Sequence, residues 1–319
     1  MQLKAAVFGE ALFDLIEQPD HTLTAHIGGS PFNVARSFVK QRISTVYVSP
    51  ISTDRYGDRI YDYAKSEGMI LPDQNRSKKL TSLAVVSLDA SGQPDYSLYR
   101  SNVADLDVSA AKLIATLPND IQLFHSGSLT LVPSMLTVLG PCFEYLKSKN
   151  VLISVDVNMR KGVELDNDKY IAAVKELLKF ADIVKVSDED LNLLGIDLPP
   201  IEGARQILSM LDNGLVVLTE GAEGATLLGN DFTVSQPVFQ PAKFEDAVGA
   251  GDTFFSAFLS KLLSTTNEDS FEHIVSNKAK LEAALIYGLM AATLNVEQCG
   301  CQPPTKQEVE TALALKTRG

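Results

Sequence analysis

A glycine-rich segment in the second half of the chain has residue types suited to chemistry on an anion. From Asp246 it reads Asp-Ala-Val-Gly-Ala-Gly-Asp-Thr-Phe-Phe, and an apolar run typical of a helix follows. Gly249, Ala250 and Gly251 would leave backbone N–H groups uncovered at the helix start, where the helix dipole also favours negative charge. Asp252 would lie in the first turn. A carboxylate beside such an anion site suits phosphoryl transfer, because it can deprotonate an attacking hydroxyl while the N–H groups absorb developing charge.

A second glycine-rich segment, near the start of the chain, has residue types suited to binding hydroxyl groups. It begins Gly28-Gly29-Ser30-Pro31 and continues Phe-Asn-Val-Ala. The glycine pair permits close approach of the backbone to a ligand, and Ser30 with Pro31 indicates an N-cap and a first helical residue. Asn33 could then offer a donor and an acceptor to hydroxyl groups.

Each segment also has a purely structural interpretation. The later one fits an ordinary glycine loop in which Asp252 or Thr253 caps a helix, and the earlier one fits a strand-to-helix turn with a solvent-facing Asn33. Two common nucleotide-binding patterns are missing: no Gly-x4-Gly-Lys-Ser/Thr occurs, and no Gly-x-Gly-x-x-Gly follows the first predicted strand. The sequence therefore argues against a P-loop kinase and against a nicotinamide-dependent enzyme.

The elements that must position these segments follow an alternating order along the chain. Apolar, β-branched runs predict strands at 3–8, 45–49, 121–125, 151–157, 183–186 and 215–219. Amphipathic stretches predict helices at 31–41, 58–66, 133–149, 168–180 and 201–211. This alternation indicates an α/β fold, with a mostly parallel central sheet covered by helices on both faces.

Two stretches interrupt this order and predict a small separate β-sheet. Residues 11–27 form two short apolar runs with a turn at Pro19-Asp20, and residues 82–99 form two more around the turn-rich segment 89–94. With no helix between them, these strands suit a lid at the mouth of the α/β domain. We therefore predict a single domain over residues 1–319, with the lid inserted at about 11–28 and 80–103.

Composition limits the class of protein and its surroundings. The 319 residues carry a formal net charge of −12, which argues against a general nucleic-acid binder. Three cysteines, Cys142, Cys299 and Cys301, are too few for a disulfide framework and favour a reducing compartment. The longest apolar stretch, 283–296, is shorter than the ~20 residues that span a bilayer. We expect a cytoplasmic protein with neither nucleic acid nor membrane as a partner.

The two glycine segments together resemble the two signatures of the ribokinase-like (PfkB) carbohydrate kinases. They occur in the same order, about 220 residues apart, on an alternating α/β pattern that spans essentially the whole chain. Within that family, the sequence is most similar to fructokinases at residues 9–14, Tyr99-Arg100, residues 156–160 and the tail 299–305. The resemblance implies a ribokinase-like fold and an ATP-dependent sugar kinase.

The resemblance also implies roles for individual residues. Asp252 would be the base that takes a proton from the terminal sugar hydroxyl, and Gly249, Ala250 and Gly251 would form the anion hole. The residues implied to bind the sugar are Asp14, Gly28, Gly29 and Asn33, joined by Arg100 from the lid and Arg160 after a core strand as closing contacts. For each arginine, a surface salt bridge is the open alternative.

Nucleotide and metal contacts are implied in the second half of the chain. The implied nucleotide-binding residues are Ser187, Thr219, Gly221 and Gly224. Asp190 would organise Mg²⁺ through water, although Ser187 and Asp190 stand where the family usually has Asn and Glu. The same two residues also fit a plain helix cap. For a monovalent cation, the implied ligands are Asp246, Val248 and Gly300. The chain departs from the family at two further positions. Ala247 stands where the family commonly has Thr, and Pro304 replaces a polar ligand.

We therefore expect a kinase that uses ATP, Mg²⁺ and, by the resemblance, K⁺ to convert fructose to fructose 6-phosphate. A kinase of the same family acting on 2-keto-3-deoxygluconate or ribose is an alternative, because the implied hydroxyl contacts suit several sugars. A non-catalytic nucleotide or sugar sensor on the same fold is a second alternative, although a sensor need not keep a base such as Asp252. The resemblance also leaves room for a homodimer formed through the lids.

Overall fold

The computed structural model describes residues 4–18, 20–73, 75–88, 94–264, 271 and 277–316. Within these ranges, an eight-stranded sheet has the strand order β14-β13-β12-β11-β10-β9-β1-β4. These strands are β1 (Lys4–Val7), β4 (Ser44–Tyr47), β9 (Leu123–Gly127), β10 (Leu152–Asp156), β11 (Ile183–Ser187), β12 (Leu215–Thr219), β13 (Ala225–Gly229) and β14 (Phe232–Gln236). All neighbours from β4 to β12 run parallel, and β13 and β14 add an antiparallel edge.

Helices cover both faces of this sheet, as the alternating pattern predicts. The helices are α1 (Ser30–Lys40), α2 (Arg55–Ser66), α3 (Ala110–Thr116), α4 (Leu136–Ser148), α5 (Asn167–Leu178), α6 (Asp188–Leu193), α7 (Pro200–Leu208), α8 (Ala250–Ser264), α9 (Lys278–Val296) and α10 (Lys306–Lys316). Apolar residues of α1, α2, α8 and α9 form the core on one face, and those of α3 to α7 form the core on the other. Successive strand residues alternate between the two cores, so the strands are mostly apolar on both faces.

The predicted separate sheet is present. It has the order β3-β2-β7-β8, made of β2 (Leu12–Glu17), β3 (Leu23–Gly28), β7 (Ser82–Leu88) and β8 (Pro94–Tyr99). Strands β2 and β7 pair in parallel at its centre, and each forms an antiparallel hairpin with its neighbour along the chain. The predicted turn at Pro19 and the centre of the turn at 89–93 lie outside the described residues. A short parallel pair joins β5 (Ile51–Ser52) to β6 (Arg76–Ser77).

Several elements differ from the sequence prediction. The predicted helix 133–149 is a 3-10 turn, Pro133–Met135, followed by α4. The hairpin of β13 and β14 and the helices α9 and α10 were not predicted. The apolar stretch 283–296 lies in α9, which packs along α8 in the core. Over the ranges given above, no helix combines the length and the apolar run that crossing a bilayer requires.

Candidate functional site

The site is built around the start of α8, where the two glycine segments meet. Helix α8 begins at Ala250, so Asp252 lies in its first turn, as predicted. The Asp252 carboxylate accepts two side-chain hydrogen bonds from α1: Ser30 Oγ donates to Oδ1 at 2.7 Å, and Asn33 Nδ2 donates to Oδ2 at 2.9 Å. The structure therefore joins the two motifs through one buried carboxylate.

Burial dominates the electrostatics of Asp252. The side chain is 7% exposed, and burial raises the pKa of its carboxyl, while the hydrogen bonds from Asn33 and Ser30 act in the opposite direction. The charges of Lys185 and Arg160 also lower this pKa. A buried carboxylate with a raised pKa and donors that hold its orientation has the properties of a general base.

The backbone beside Asp252 has the geometry of an anion site. Gly249 has a φ of +71°, a conformation that L side chains rarely adopt, and an added Cβ would overlap the Cys301 thiol. The turn closes with a hydrogen bond of 3.1 Å from Ala250 N to the carbonyl of Ala247. The next N–H groups, of Gly251 and Asp252, belong to the first helical turn, whose N–H groups have no partner within the helix.

The lid brings a second carboxylate towards this centre. Asp14 lies on β2 directly opposite His26 of β3. Burial raises its pKa to about 6, and the charges of His26 and Arg160 act against that rise. The charge of Arg160 lowers the pKa of both Asp14 and Asp252, so its guanidinium lies within electrostatic range of both carboxylates. The guanidinium also donates to the Met159 carbonyl at 3.2 Å.

The two glycines before α1 keep the backbone close to these groups. A Cβ at Gly28 would overlap the Asp14 carboxylate, and one at Gly29, whose φ is +111°, would overlap the Glu10 carbonyl. Gly29 is also the residue that precedes α1, so the predicted N-cap at Ser30 is wrong. Because Ser30 begins the helix, its hydroxyl is directed to Asp252. Asn33 Oδ1 is buried with no partner among the described residues, so this amide has an acceptor left for a hydroxyl ligand.

Arg100 is not among the groups that surround Asp252. Its guanidinium forms an ion pair with Asp105, and it donates to the Leu129 carbonyl at 2.8 Å. Both partners of the pair are buried, so the alternative of a surface salt bridge is wrong. The charges of Asp105 and Glu10 raise the pKa of Arg100 against the effect of burial. Arg100 Nε is buried with no partner among the described residues, so a contact with sugar or phosphate stays a prediction.

The predicted nucleotide residues lie at the carboxyl ends of neighbouring strands. Ser187 ends β11 and Thr219 ends β12, and the two are register partners. Gly221 begins the 3-10 turn that follows β12, and Gly224 lies between that turn and β13. Ligands of open α/β sheets bind at this edge.

Asp190 holds the start of α6. Its Oδ2 accepts from the backbone and hydroxyl of Ser187, at 2.9 and 2.8 Å, and its Oδ1 accepts from Met159 N at 2.7 Å. This is a capping box, so the structural interpretation is correct for both residues. Because Oδ2 already accepts two hydrogen bonds, it is Oδ1 that keeps a lone pair for a metal-bound water, and a role in organising Mg²⁺ stays a prediction.

The three predicted cation ligands come together in one loop pair. Asp246 accepts from Val248 N at 2.8 Å and from Gly300 N at 2.6 Å. The Val248 carbonyl accepts from Asn295 Nδ2 at 2.9 Å. These bonds hold the loop before α8 against the tail. The Asp246 carboxylate and the Val248 carbonyl are oxygen groups of the type that a monovalent cation prefers, but they already have protein donors.

Sequence reasoning missed two buried charged residues close to α8. Lys185 of β11 forms an ion pair with Asp156 of β10 at 2.9 Å, and the two are 5% and 0% exposed. They are direct register partners on adjacent parallel strands. The signal was a single charged residue near the end of each of two apolar strands, where a purely structural strand would carry none.

Comparisons with known proteins agree with this architecture. The model of the pfkB family carbohydrate kinases matches residues 2–308. A fructokinase of Rhizobium leguminosarum bv. trifolii is 32% identical over 266 residues, which cover 80% of this chain and 78% of that protein. Two solved structures share the fold. Fructokinase of Xylella fastidiosa with bound ATP has a TM-score of 0.87 at 22% identity, covering 99% and 100% of the two chains. Fructokinase of Vibrio cholerae O395 with fructose, ADP and calcium ion has a TM-score of 0.82 at 24% identity, covering 97% and 98%.

Proposed function

Since the chain belongs to the pfkB family of carbohydrate kinases, we propose that it transfers the γ-phosphoryl group of ATP to the terminal hydroxyl of fructose. The products are fructose 6-phosphate and ADP. The observation that carries the proposal is the Asp252 carboxylate in the first turn of α8, hydrogen-bonded by both Ser30 and Asn33. The relatives named above, and the neighbour that binds fructose and ADP, support fructose as the acceptor.

The proposed roles follow from the positions of the side chains. Asp14, the Gly28-Gly29 backbone and Asn33 hydrogen-bond the sugar hydroxyls and direct the terminal one to Asp252. The Asp252 carboxylate takes the proton of that hydroxyl while its oxygen attacks the γ-phosphorus. The bond to the bridging oxygen of ADP breaks. The backbone N–H groups of Gly249 and Gly251, and that of Ala250 once it releases the Ala247 carbonyl, stabilise the charge on the transferring group.

Nucleotide binding is proposed at the strand ends beside α8. Thr219, Gly221 and Gly224 contact the phosphates and ribose, and Ser187 contacts a phosphate. Closure of the lid sheet excludes water, which would otherwise act as the acceptor.

The residues present fit Mg²⁺ that enters with the phosphates. Among the described residues, no group of three or more His, Cys, Asp or Glu side chains is placed to hold a metal by itself. Mg²⁺ is usually held by one or two carboxylates together with phosphate oxygens and water, and Asp190 Oδ1 has a lone pair left for that role. When bound, Mg²⁺ neutralises charge on the phosphates. Activation by K⁺ at Asp246, Val248 and Gly300 stays a prediction, measured as turnover in K⁺ against turnover in tetramethylammonium.

A homodimer through the lids is also proposed. Support comes from large apolar side chains exposed on the lid: Leu23 is 51% and Tyr99 61% exposed. A pair of lids would cover such groups, and the two edge strands, β3 and β8, offer unpaired backbone groups as well. Analytical ultracentrifugation of the full chain tests this assembly, and a monomer at micromolar concentration would exclude it.

An acceptor panel tests the proposed reaction. ADP release from MgATP is measured by a coupled assay with fructose, glucose, ribose and 2-keto-3-deoxygluconate. We expect the highest kcat/KM with fructose, and phosphate on the 6-hydroxyl of the product by ³¹P NMR. Activity on ribose or 2-keto-3-deoxygluconate but not on fructose would identify one of the alternative kinases. ATP binding without phosphorylation of any acceptor would favour the sensor.

A further inference from the structure

We propose that Lys185 binds the transferring phosphoryl group of ATP, and that Asp156 is the positioning residue that aims it. This inference rests on the proposed kinase function and adds a cationic contact to an anion hole otherwise made of backbone N–H groups. Neither residue belongs to the two glycine motifs.

The sheet places Lys185 beneath the start of α8. Along β11, Ile183 faces the core that contains α8, whereas Val184 and Val186 face the opposite core. By strand alternation, Lys185 therefore faces α8. Asp156 is its direct register partner on β10 and lies on the same face.

The Lys185 ammonium reaches the anion hole itself. A Cβ added to Gly251 would lie 3.4 Å from Lys185 Nζ and equally far from Cε, which is about van der Waals contact. The ammonium therefore lies directly beside the helix start. The side-chain cation and the backbone donors of the first turn are close enough to meet one anion.

Lys185 also has a donor to spare. Within the described residues its hydrogen bonds go to the two oxygens of Asp156, at 2.9 and 3.1 Å. An ammonium has three N–H groups, so at least one is left for another acceptor. Asp156 fixes Nζ from one side and leaves that donor for the other side.

The charges around Lys185 keep it protonated. The pKa of Lys185 is raised above its usual value because the carboxylates of Asp156, Asp190 and Asp252 outweigh the effect of burial. A buried ion pair is by itself a weak source of stability. Its position beside an anion site therefore indicates a role in binding, since the cation meets the phosphoryl group where water is excluded.

The test separates phosphoryl contact from structural support by comparing ATP with ADP. Lys185→Met, Lys185→Arg and the wild type are titrated with MgATP and with MgADP by calorimetry, and turnover is measured with fructose. We expect Lys185→Met to weaken MgATP binding by about 10- to 100-fold, the range for one hydrogen bond to a charged group. MgADP, which lacks the transferred group, should bind within threefold of wild type. We expect kcat to fall by about 10²-fold or more, with partial recovery in Lys185→Arg.

Lys147→Met is the matched control, because Lys147 also pairs with an aspartate, Asp182, but on α4 away from the site. It should leave both affinities and kcat unchanged. If Lys185→Met fails to fold, as judged by circular dichroism, the double variant Asp156→Asn with Lys185→Met removes the unpaired charge and is measured by the same criteria.

Equal loss of affinity for MgATP and MgADP, or a kcat within threefold of wild type in the folded variant, would overturn the proposal. Failure of the proposed function looks different: the wild type would then phosphorylate no sugar. The ratio of ATP to ADP affinity would still decide whether Lys185 contacts the third phosphate.

Discussion

Replacing Asp252 by Asn separates proton transfer from the architecture of the site. The variant keeps the size of the side chain, and its carbonyl oxygen can still accept from Ser30 Oγ, which donates at 2.7 Å in the wild type. Its new NH₂ group would face the amide of Asn33. Because Asn33 Oδ1 is buried without a partner in the described structure, rotation of the Asn33 amide by half a turn gives the NH₂ an acceptor. We therefore expect Asp252→Asn to fold with both hydrogen bonds retained.

The expected loss is in turnover. A positioned general base contributes about 10²- to 10⁴-fold, and each tenfold is about 1.4 kcal/mol of activation free energy. We expect kcat of Asp252→Asn to fall by that factor. KM for sugar and ATP should stay within about threefold of wild type, because Asp14 and the Gly28-Gly29 backbone are unchanged and the rotated Asn33 amide offers the sugar its Nδ2 donor in place of Oδ1.

The same variant should gain stability where it loses activity. Burial raises the pKa of Asp252 above its unfolded value, so its contribution to stability is present below the unfolded pKa and is lost as pH rises through the folded pKa. An amide cannot ionise. Asp252→Asn should therefore have the Tm of wild type near pH 4 and a higher Tm at pH 8, an exchange of stability for function.

Coupled ADP release and thermal unfolding at the two pH values measure both effects. Asp182→Asn is the matched control, because burial also raises the pKa of Asp182, while its carboxylate accepts from Ile153 N away from the site. It should alter Tm and leave kcat within twofold. An Asp252→Asn variant that kept more than a tenth of wild-type kcat would refute the assignment of Asp252 as base.

Three further predictions concern Asp14 of the lid, the buried carboxyl of Glu10 and Gly249 of the anion hole. Burial raises the pKa of Asp14 to about 6, so KM for sugar should rise as pH falls from 7 to 5. Asp14→Asn should give a high KM at every pH. Steady-state kinetics in which wild type and Asp14→Asn have the same pH profile of KM would contradict this prediction. Burial raises the pKa of Glu10 to about 7, above its unfolded value of 4.5, so stability is lost as pH rises through that interval. Glu10→Gln should therefore have a higher Tm than wild type at pH 8 and the same Tm near pH 4. A Tm difference that is the same at both pH values would contradict this prediction. Gly249 has a φ of +71° and lies against Cys301, so Gly249→Ala should lower stability by about 1–3 kcal/mol and reduce kcat. Adding Cys301→Ala should restore part of the lost Tm. No recovery of Tm would show that the contact with the Cys301 thiol is unimportant.

The parts of the site that could be predicted are those set by local pattern. A strand, a glycine turn and a helix start are encoded within about ten residues, so the placement of Asp252 in the first turn of α8 followed from the sequence. The helical cap at Ser187 and Asp190 was predicted for the same reason. The lid strands were recognised because turn-rich segments interrupt an otherwise regular alternation.

The parts that escaped prediction depend on register and on competition between partners. Lys185 meets Asp156 only because β10 and β11 pair in one particular register, and one sequence does not fix that register. The sequence does not show which anion Arg100 pairs with, and in the structure its partner is the nearby buried Asp105. The hairpin of β13 and β14 was missed because Ala225–Gly229 is rich in Ala, Leu and Gly, which have weak strand preference.

The hydrogen bond from Ser30 to Asp252 spans 222 residues of chain, and this has a consequence for synthesis and refolding. Helix α1 leaves the ribosome long before α8 exists, so the proposed sugar-binding segment is synthesised well before the proposed base, Asp252. Contacts of such long separation form late and slowly. Enzymatic activity should therefore report the last stage of maturation, and its recovery after denaturation should lag behind the return of helical circular dichroism. A nascent chain whose α8 has not yet left the ribosome lacks part of the proposed binding site. It should therefore not transfer phosphate from ATP.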